Sequence, residues 1–194
     1  MNKLSPHGKF PDIAYRAFST LEHAEQFING SIRFGNIYHY KRIEDEKRRD
    51  KTEGESHVVY DGTDKQGMFA TNTIYINCCH RTLSAALKCN LGGYVVKINA
   101  PEQFAKDLTQ ALEQSEAKYF GGIEGCFVEY TKGMETSIKP GGYEIVRLSY
   151  CQKPPGFTPE EEFRFVAIRK TSVGEFLTIQ LNQSLKYCEI INGI

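Results

Sequence analysis

Apolar residues follow two periods along this chain. Short runs or alternations mark strands at Ala14–Phe18, Ser31–Gly35, Ser56–Tyr60, Tyr94–Ile98, Ile123–Tyr130, Tyr143–Cys151, Phe163–Ile168, Phe176–Leu181 and Lys186–Ile191. Met68–Cys79 holds a further buried strand, centred on Ile74, Tyr75 and Ile76. Recurrence every three or four residues marks helices. Leu21, Ala24, Phe27 and Ile28 form one stripe; Phe104, Leu108, Ala111 and Leu112 form another that persists to about Glu116. His80–Lys88 suits a third, short helix. Ser19 with Glu22 reads as a capping box for the first helix, and Asn29-Gly30 as its stop. Pro101 suits the first turn of the second. Turn signals stand at Asp61-Gly62 and Lys139–Gly142. Many strands with two or three helices predict a mixed α+β domain over residues 1–194, not a doubly wound sheet.

One strand carries unusual chemistry. Pro154-Pro155-Gly156-Phe157-Thr158-Pro159 reads as a turn, and Glu160-Glu161-Glu162-Phe163-Arg164-Phe165-Val166-Ala167-Ile168 follows it. Side chains on a strand alternate between faces. Phe163, Phe165 and Ala167 therefore point to a core, with Glu162 and Arg164 opposite. Glu160 joins them if the extended backbone reaches back that far, placing two carboxylates about 7 Å apart. Such a cluster is either a polar site held rigid by phenylalanines or an ion pair on a solvated edge.

Composition narrows the function only by exclusion. The 194 residues hold 24 Lys plus Arg and 24 Asp plus Glu, so no global charge points to nucleic acid or to a membrane. Met1–Asp12 is polar, no signal peptide is recognisable, and no run has the length of a membrane span. A cytoplasmic protein with reduced thiols is expected. The six cysteines include no Cys-x-x-Cys pair, so no metal site is indicated. Cys78-Cys79-His80 is a poor joint ligand set, because neighbours on a strand face opposite ways. No glycine-rich phosphate loop is present.

The segment from Asn36 to Glu55 is aromatic, then densely charged. It reads either as a solvated helix or loop, or as a substrate-facing loop in which Tyr38 and Tyr40 offer flat faces and Arg42, Arg48 and Arg49 meet anions. Aromatics interleaved with basic residues also suit single-stranded nucleic acid. A lone arginine sits inside each of the first two strands, Arg16 and Arg33.

Several short motifs occur in a telling order: Tyr15-Arg16, Ser31-Ile32-Arg33-Phe34-Gly35, Arg49–Gly54, Asn77-Cys78-Cys79-His80 and Phe157–Arg164. This order resembles the bacterial family called domain of unknown function 2971, over roughly residues 13 to 170. That family often carries Cys-Phe-Ser after its central strand and a later Trp; here Cys79-His80-Arg81 stands instead and Trp is absent. The family in turn resembles the ADP-ribosyltransferase fold, a split, mostly antiparallel sheet. Arginine-modifying members of that superfamily carry an Arg on the first strand, a Ser-Thr-Ser triplet and a later Glu-x-Glu. Arg16 and Glu160-Glu161-Glu162 match in order; Thr71-Asn72-Thr73 is a loose substitute for the triplet.

The resemblance implies cleavage of the nicotinamide–ribose bond of NAD as substrate, with transfer to an unknown acceptor or to water. Such an enzyme could act as a toxin or an anti-phage effector. It implies Glu162 at the ribose cation, Glu160 on the acceptor, Arg16 with Tyr15 on the diphosphate side, and Tyr38 or Tyr40 against nicotinamide. Arg164 is expected to keep Glu162 ionised. The alternatives are a nucleotide or single-strand binding module without catalysis, and a regulatory protein on a degenerate enzyme fold. Oligomeric state is not legible.

Overall fold

The computed structural model describes residues 4–41, 55–60, 64–69, 72–88, 93–114, 119, 121–131, 135–137, 147 and 149–192. In chain order the elements are β1 (His7–Gly8), β2 (Ala14–Phe18), α1 (Leu21–Ile28), β3 (Ser31–Asn36), α2 (Ile37–Lys41), β4 (Glu55–Tyr60) and β5 (Asp64–Phe69). Then come β6 (Ile74–His80), α3 (Leu83–Lys88), β7 (Tyr94–Ile98), α4 (Pro101–Gln114), β8 (Glu124–Phe127), β9 (Glu129–Tyr130) and β10 (Glu135–Ser137). The chain closes with β11 (Gln152–Lys153), β12 (Glu162–Ile168), β13 (Phe176–Gln180) and β14 (Cys188–Asn192). This is an α+β fold.

The main sheet runs β1-β8-β12-β6-β2-β7-β14, and β3 with β13 joins it at β6. Its pairings are antiparallel except β1 with β8. Two small sheets, β10-β4-β5 and β11-β9, make the architecture mixed. A close approach pins the edge at β8: a Cβ on Gly125 would fall 2.6 Å from the Lys9 carbonyl oxygen. Only glycine lets the backbone lie that near.

Alternation along β12 divides two cores. Phe163, Phe165 and Ala167 pack with Phe27, Phe34, Phe104 and Leu108 beneath α1 and α4. Each fully buried phenylalanine contributes about 1.5–3 kcal/mol. Val166 packs on the other face with Ile37, Ile74, Ile76, Cys126 and Tyr150. The face that carries Glu162 and Arg164 is thus interior, not a solvated edge, because β12 lies between β6 and β8.

Several local expectations change. Thr20, not Ser19, caps α1, its side chain accepting from the His23 amide at 3.2 Å. Leu21 is largely exposed, so the buried stripe is Ala24 and Phe27. Met68–Cys79 splits into two strands, β5 and β6. Residues 149–151 are helical where a strand was expected, and the consecutive residues Tyr150 and Cys151 both enter the second core rather than alternating across a sheet. Pro155–Glu160 is a 3-10 helix, so the extended backbone begins only at Glu162. Cys126 and Cys151 are adjacent in that core with their sulfurs in contact; Cys78, Cys79 and Cys188 are free. Cys89, Arg42, Arg48, Arg49, Thr71 and the turns at Asp61-Gly62 and Lys139–Gly142 lie outside the described residues.

Candidate functional site

The sheet is split at β6. β2 meets this strand at its far end, Tyr15 opposite His80. β3 meets the same edge at the near end, Gly35 opposite Ile76 and Asn36 opposite Tyr75. Neither strand pairs with Asn77, Cys78 or Cys79. Arg16 fills this gap from β2: its Nη1 donates to the Cys78 carbonyl at 2.6 Å and to Asn77 Oδ1 at 2.7 Å. A guanidinium thus takes the place of a strand. Its Nε is buried and finds no hydrogen-bond partner among the described residues.

A cleft of about 520 Å³ opens at the split, within the size range of small-molecule sites. Arg16 and Phe18 of β2 line one side, and Arg33 and Gly35 of β3 the other. His23 and Phe27 of α1, His39 and Tyr40 of α2, and Phe176 and Thr178 of β13 complete the wall. Arg33 lies flat over Phe176, 3.5 Å from the ring centre, and His39 meets the same ring edge-on at 4.6 Å. Among the described residues no Asp or Glu lines the cleft, while Arg16 and Arg33 do, a lining that favours an anion. Glu175 stands beside His39 Nδ1 at 4.0 Å but is exposed and outside the lining. Gly35 is required by Tyr40: a Cβ there would come 2.9 Å from the tyrosine ring.

The acidic motif lies elsewhere. The registers Tyr15–His80 and His80–Glu162 put Tyr15, His80 and Glu162 on one face. Ala14, Arg16 and Phe18 take the other, as Ala14 in the first core confirms. Arg16 and Glu162 therefore project from opposite faces of the sheet. Neither Glu160 nor Glu162 lines the cleft.

Glu162 is 2% exposed and doubly ion-paired, at 2.7 Å to Arg164 Nε and 2.7 Å to Lys153 Nζ. Arg164, fully buried, also donates to the Tyr150 carbonyl at 2.7 Å. Burial alone would raise the Glu162 carboxyl, yet Arg164 and Lys153 hold it well below the usual carboxylate range. Glu160 sits in the 3-10 helix with Lys153 Nζ at 2.8 Å, and burial pushes its carboxyl up. Glu161 has φ 42, left-handed and unusual for a non-glycine residue. It holds α3 by accepting from Thr82 Oγ1 at 2.7 Å.

His80 Nδ1 lies 2.7 Å from the Glu160 carbonyl, which can only accept, so Nδ1 carries the proton in this contact. Burial lowers the His80 pKa. Burial pushes the Tyr130 phenol up to about 12, and its oxygen accepts from the Glu162 amide at 2.7 Å.

The two regions communicate through β6. Cys78 lies between them, close enough for its thiol to feel the charge of Glu162, and Tyr40, a cleft residue, donates its phenol to the Ile76 carbonyl beside it at 3.5 Å. Burial raises both the Tyr40 phenol and the Cys78 thiol well above their ordinary values, so both stay protonated near neutral pH. Tyr38 packs against the second core, and neither Tyr38 nor Tyr15 lines the cleft, where the resemblance had placed them.

Of the residues singled out in the sequence, the structure thus brings Arg16 and Tyr40 to one cleft. It gathers Glu160, Glu162 and Arg164 around Lys153. Lys153, His23 and Phe176 carried no sequence signal for this site; Asn77 and His39 stood in noted motifs without a role of their own, and Arg33 was the second lone arginine within a strand.

The Glu162 pairing predicts a pH dependence. A carboxyl whose folded-state pKa is depressed releases its proton more readily folded than unfolded. The stability it brings is present above its ordinary value of 4.5 and is lost as pH falls from there through the folded-state value. Glu160, raised by burial, acts in the opposite sense but is less buried. The urea midpoint should therefore drop between pH 6 and pH 3.5. It should drop less in Glu162→Gln, which removes the titrating group; an equal drop would remove Glu162 as the cause.

Compared with known protein families, curated proteins and solved structures, the chain matches none.

Proposed function

We propose that this chain is an ADP-ribosyltransferase-like or NAD glycohydrolase-like protein that holds NAD in the cleft at the split of its sheet. The observation that carries this reading is Arg16. One edge of its guanidinium is anchored to Asn77 and Cys78, while among the described residues the buried Nε has no partner and the cleft no lining carboxylate. A planar guanidinium fixed on one edge suits a phosphate on the other. Phe18, Phe27, Phe176 and Tyr40 supply apolar and aromatic surface for the rings of a dinucleotide.

In the reaction, the C–N bond between ribose and nicotinamide breaks and its electron pair leaves with nicotinamide. Water or an acceptor hydroxyl or amine then adds to the ribose cation and releases a proton. Glu162, ionised but paired with Arg164 and Lys153 outside the cleft, acts in this step as a positioning residue through the β12–β6 pairing.

The same placement favours a second reading, nucleotide binding without cleavage. One experiment separates the two. The purified full chain is titrated with NAD by calorimetry, and free nicotinamide is followed by chromatography. Binding with nicotinamide release that falls in Glu162→Gln supports the enzyme. Binding without release selects the binding module. No binding retires the NAD reading.

A further inference from the structure

Among the described residues two arginines line the cleft, and one buried amide binds the side chain of the first and the backbone of the second. Asn77 is fully buried on β6, at the gap between β2 and β3. Its Oδ1 accepts from Arg16 Nη1 at 2.7 Å, and its Nδ2 donates to the Arg33 carbonyl at 3.0 Å. A single side chain therefore ties together the two strands that carry the cleft's cations.

The two cations are prepared differently. Arg16 has spent Nη1 on the protein and keeps a buried Nε with no partner among the described residues. A buried donor without a partner calls for a ligand or an ion. Arg33 is exposed, and the aromatic face of Phe176, 3.5 Å away, holds its guanidinium flat. No carboxylate pairs with it among the described residues. Arg16 leaves β2 on the face of the first core and Arg33 leaves β3 on the opposite one, and both reach the cleft where the sheet splits. Two cations there, with no lining acid among the described residues, match a ligand that carries two linked anionic groups.

We infer that Arg16 and Arg33, spaced by Asn77, form a two-point anion site that selects diphosphates over monophosphates. Arg33 is the specificity-determining residue and Asn77 the positioning residue. This rests on the nucleotide cleft proposed above and names the part of the ligand it reads. Nicotinamide and its cleavage are not required, so the ligand class extends to nucleoside diphosphates in general.

The test is calorimetric titration of the full chain with inorganic pyrophosphate and, separately, orthophosphate, at one fixed ionic strength. Pyrophosphate should bind at least tenfold more tightly. Arg33→Gln, an exposed change, should bring the two ligands within about threefold of each other, in line with loss of one charge-assisted contact. Asn77→Ser, with both arginines still present, should weaken pyrophosphate and leave orthophosphate nearly unchanged. Lys97→Gln, which removes a surface cation paired to Glu189, should change neither.

Equal affinity for the two anions in the unaltered protein overturns the inference. So does an Arg33→Gln protein that keeps the preference. Pyrophosphate selection with no response to NAD would sustain this site and retire the NAD reading. NAD binding that ignores Arg33→Gln would do the reverse.

Discussion

Arg164→Leu is expected to lower folding stability by about 3–5 kcal/mol, the usual consequence of stripping one partner from a buried ion pair. The side chain is fully buried between β6 and β8 and holds three acceptors: Glu162 Oε1, Glu162 Oε2 at 3.4 Å, and the Tyr150 carbonyl. Leucine leaves the Glu162 carboxylate with Lys153 alone, and Lys153 is shared with Glu160. At a slope of about 2 kcal/mol per molar urea, the midpoint should fall by about 1.5–2.5 M. Glu162→Leu combined with Arg164→Leu should recover part of that loss, since the unpaired charge is gone. A single-variant loss below about 1 kcal/mol would mean that Lys153 compensates fully and that the pair with Arg164 is dispensable.

Arg16→Ala is expected to weaken NAD binding about 10- to 100-fold, since a hydrogen bond to a charged group is worth about 1.5–3 kcal/mol. Arg16→Lys should not restore it. An ammonium carries the charge but cannot hold Asn77 and Cys78 with one nitrogen while presenting a planar edge to phosphate. The alanine variant also leaves the Cys78 carbonyl without its donor, so its melting temperature should fall along with its affinity. Calorimetry and thermal melts on the same preparations separate the two effects. An unchanged dissociation constant in a folded Arg16→Ala protein would make Arg16 a purely architectural residue.

The sequence was a good guide wherever side-chain alternation decided the outcome. β2, β3, β7, β12 and β13 follow their apolar pattern, and Phe163, Phe165 and Ala167 face the core as the period of two requires. It was a poor guide where tertiary contacts decide. Nothing local shows that β12 lies inside the sheet, and this position turns Glu162 and Arg164 from surface charges into an interior network with Lys153. Glu160 left the expected row because prolines at 155 and 159 favour a 3-10 turn over extended backbone. Asn77 opened a noted motif but its role was not legible, because it depends on where two other strands stop, which no single segment encodes.

On the β2/β3 edge of β6 backbone pairing lapses along Asn77–Cys79, so across that seam the two arms of the sheet are stitched mainly by Arg16 and the Asn77 amide. A dianion that bridged Arg16 and Arg33 would act there as a rivet, fastening β2 to β3. Ligand occupancy and mechanical cohesion would then rise together, and saturating ligand would raise the melting temperature by mass action.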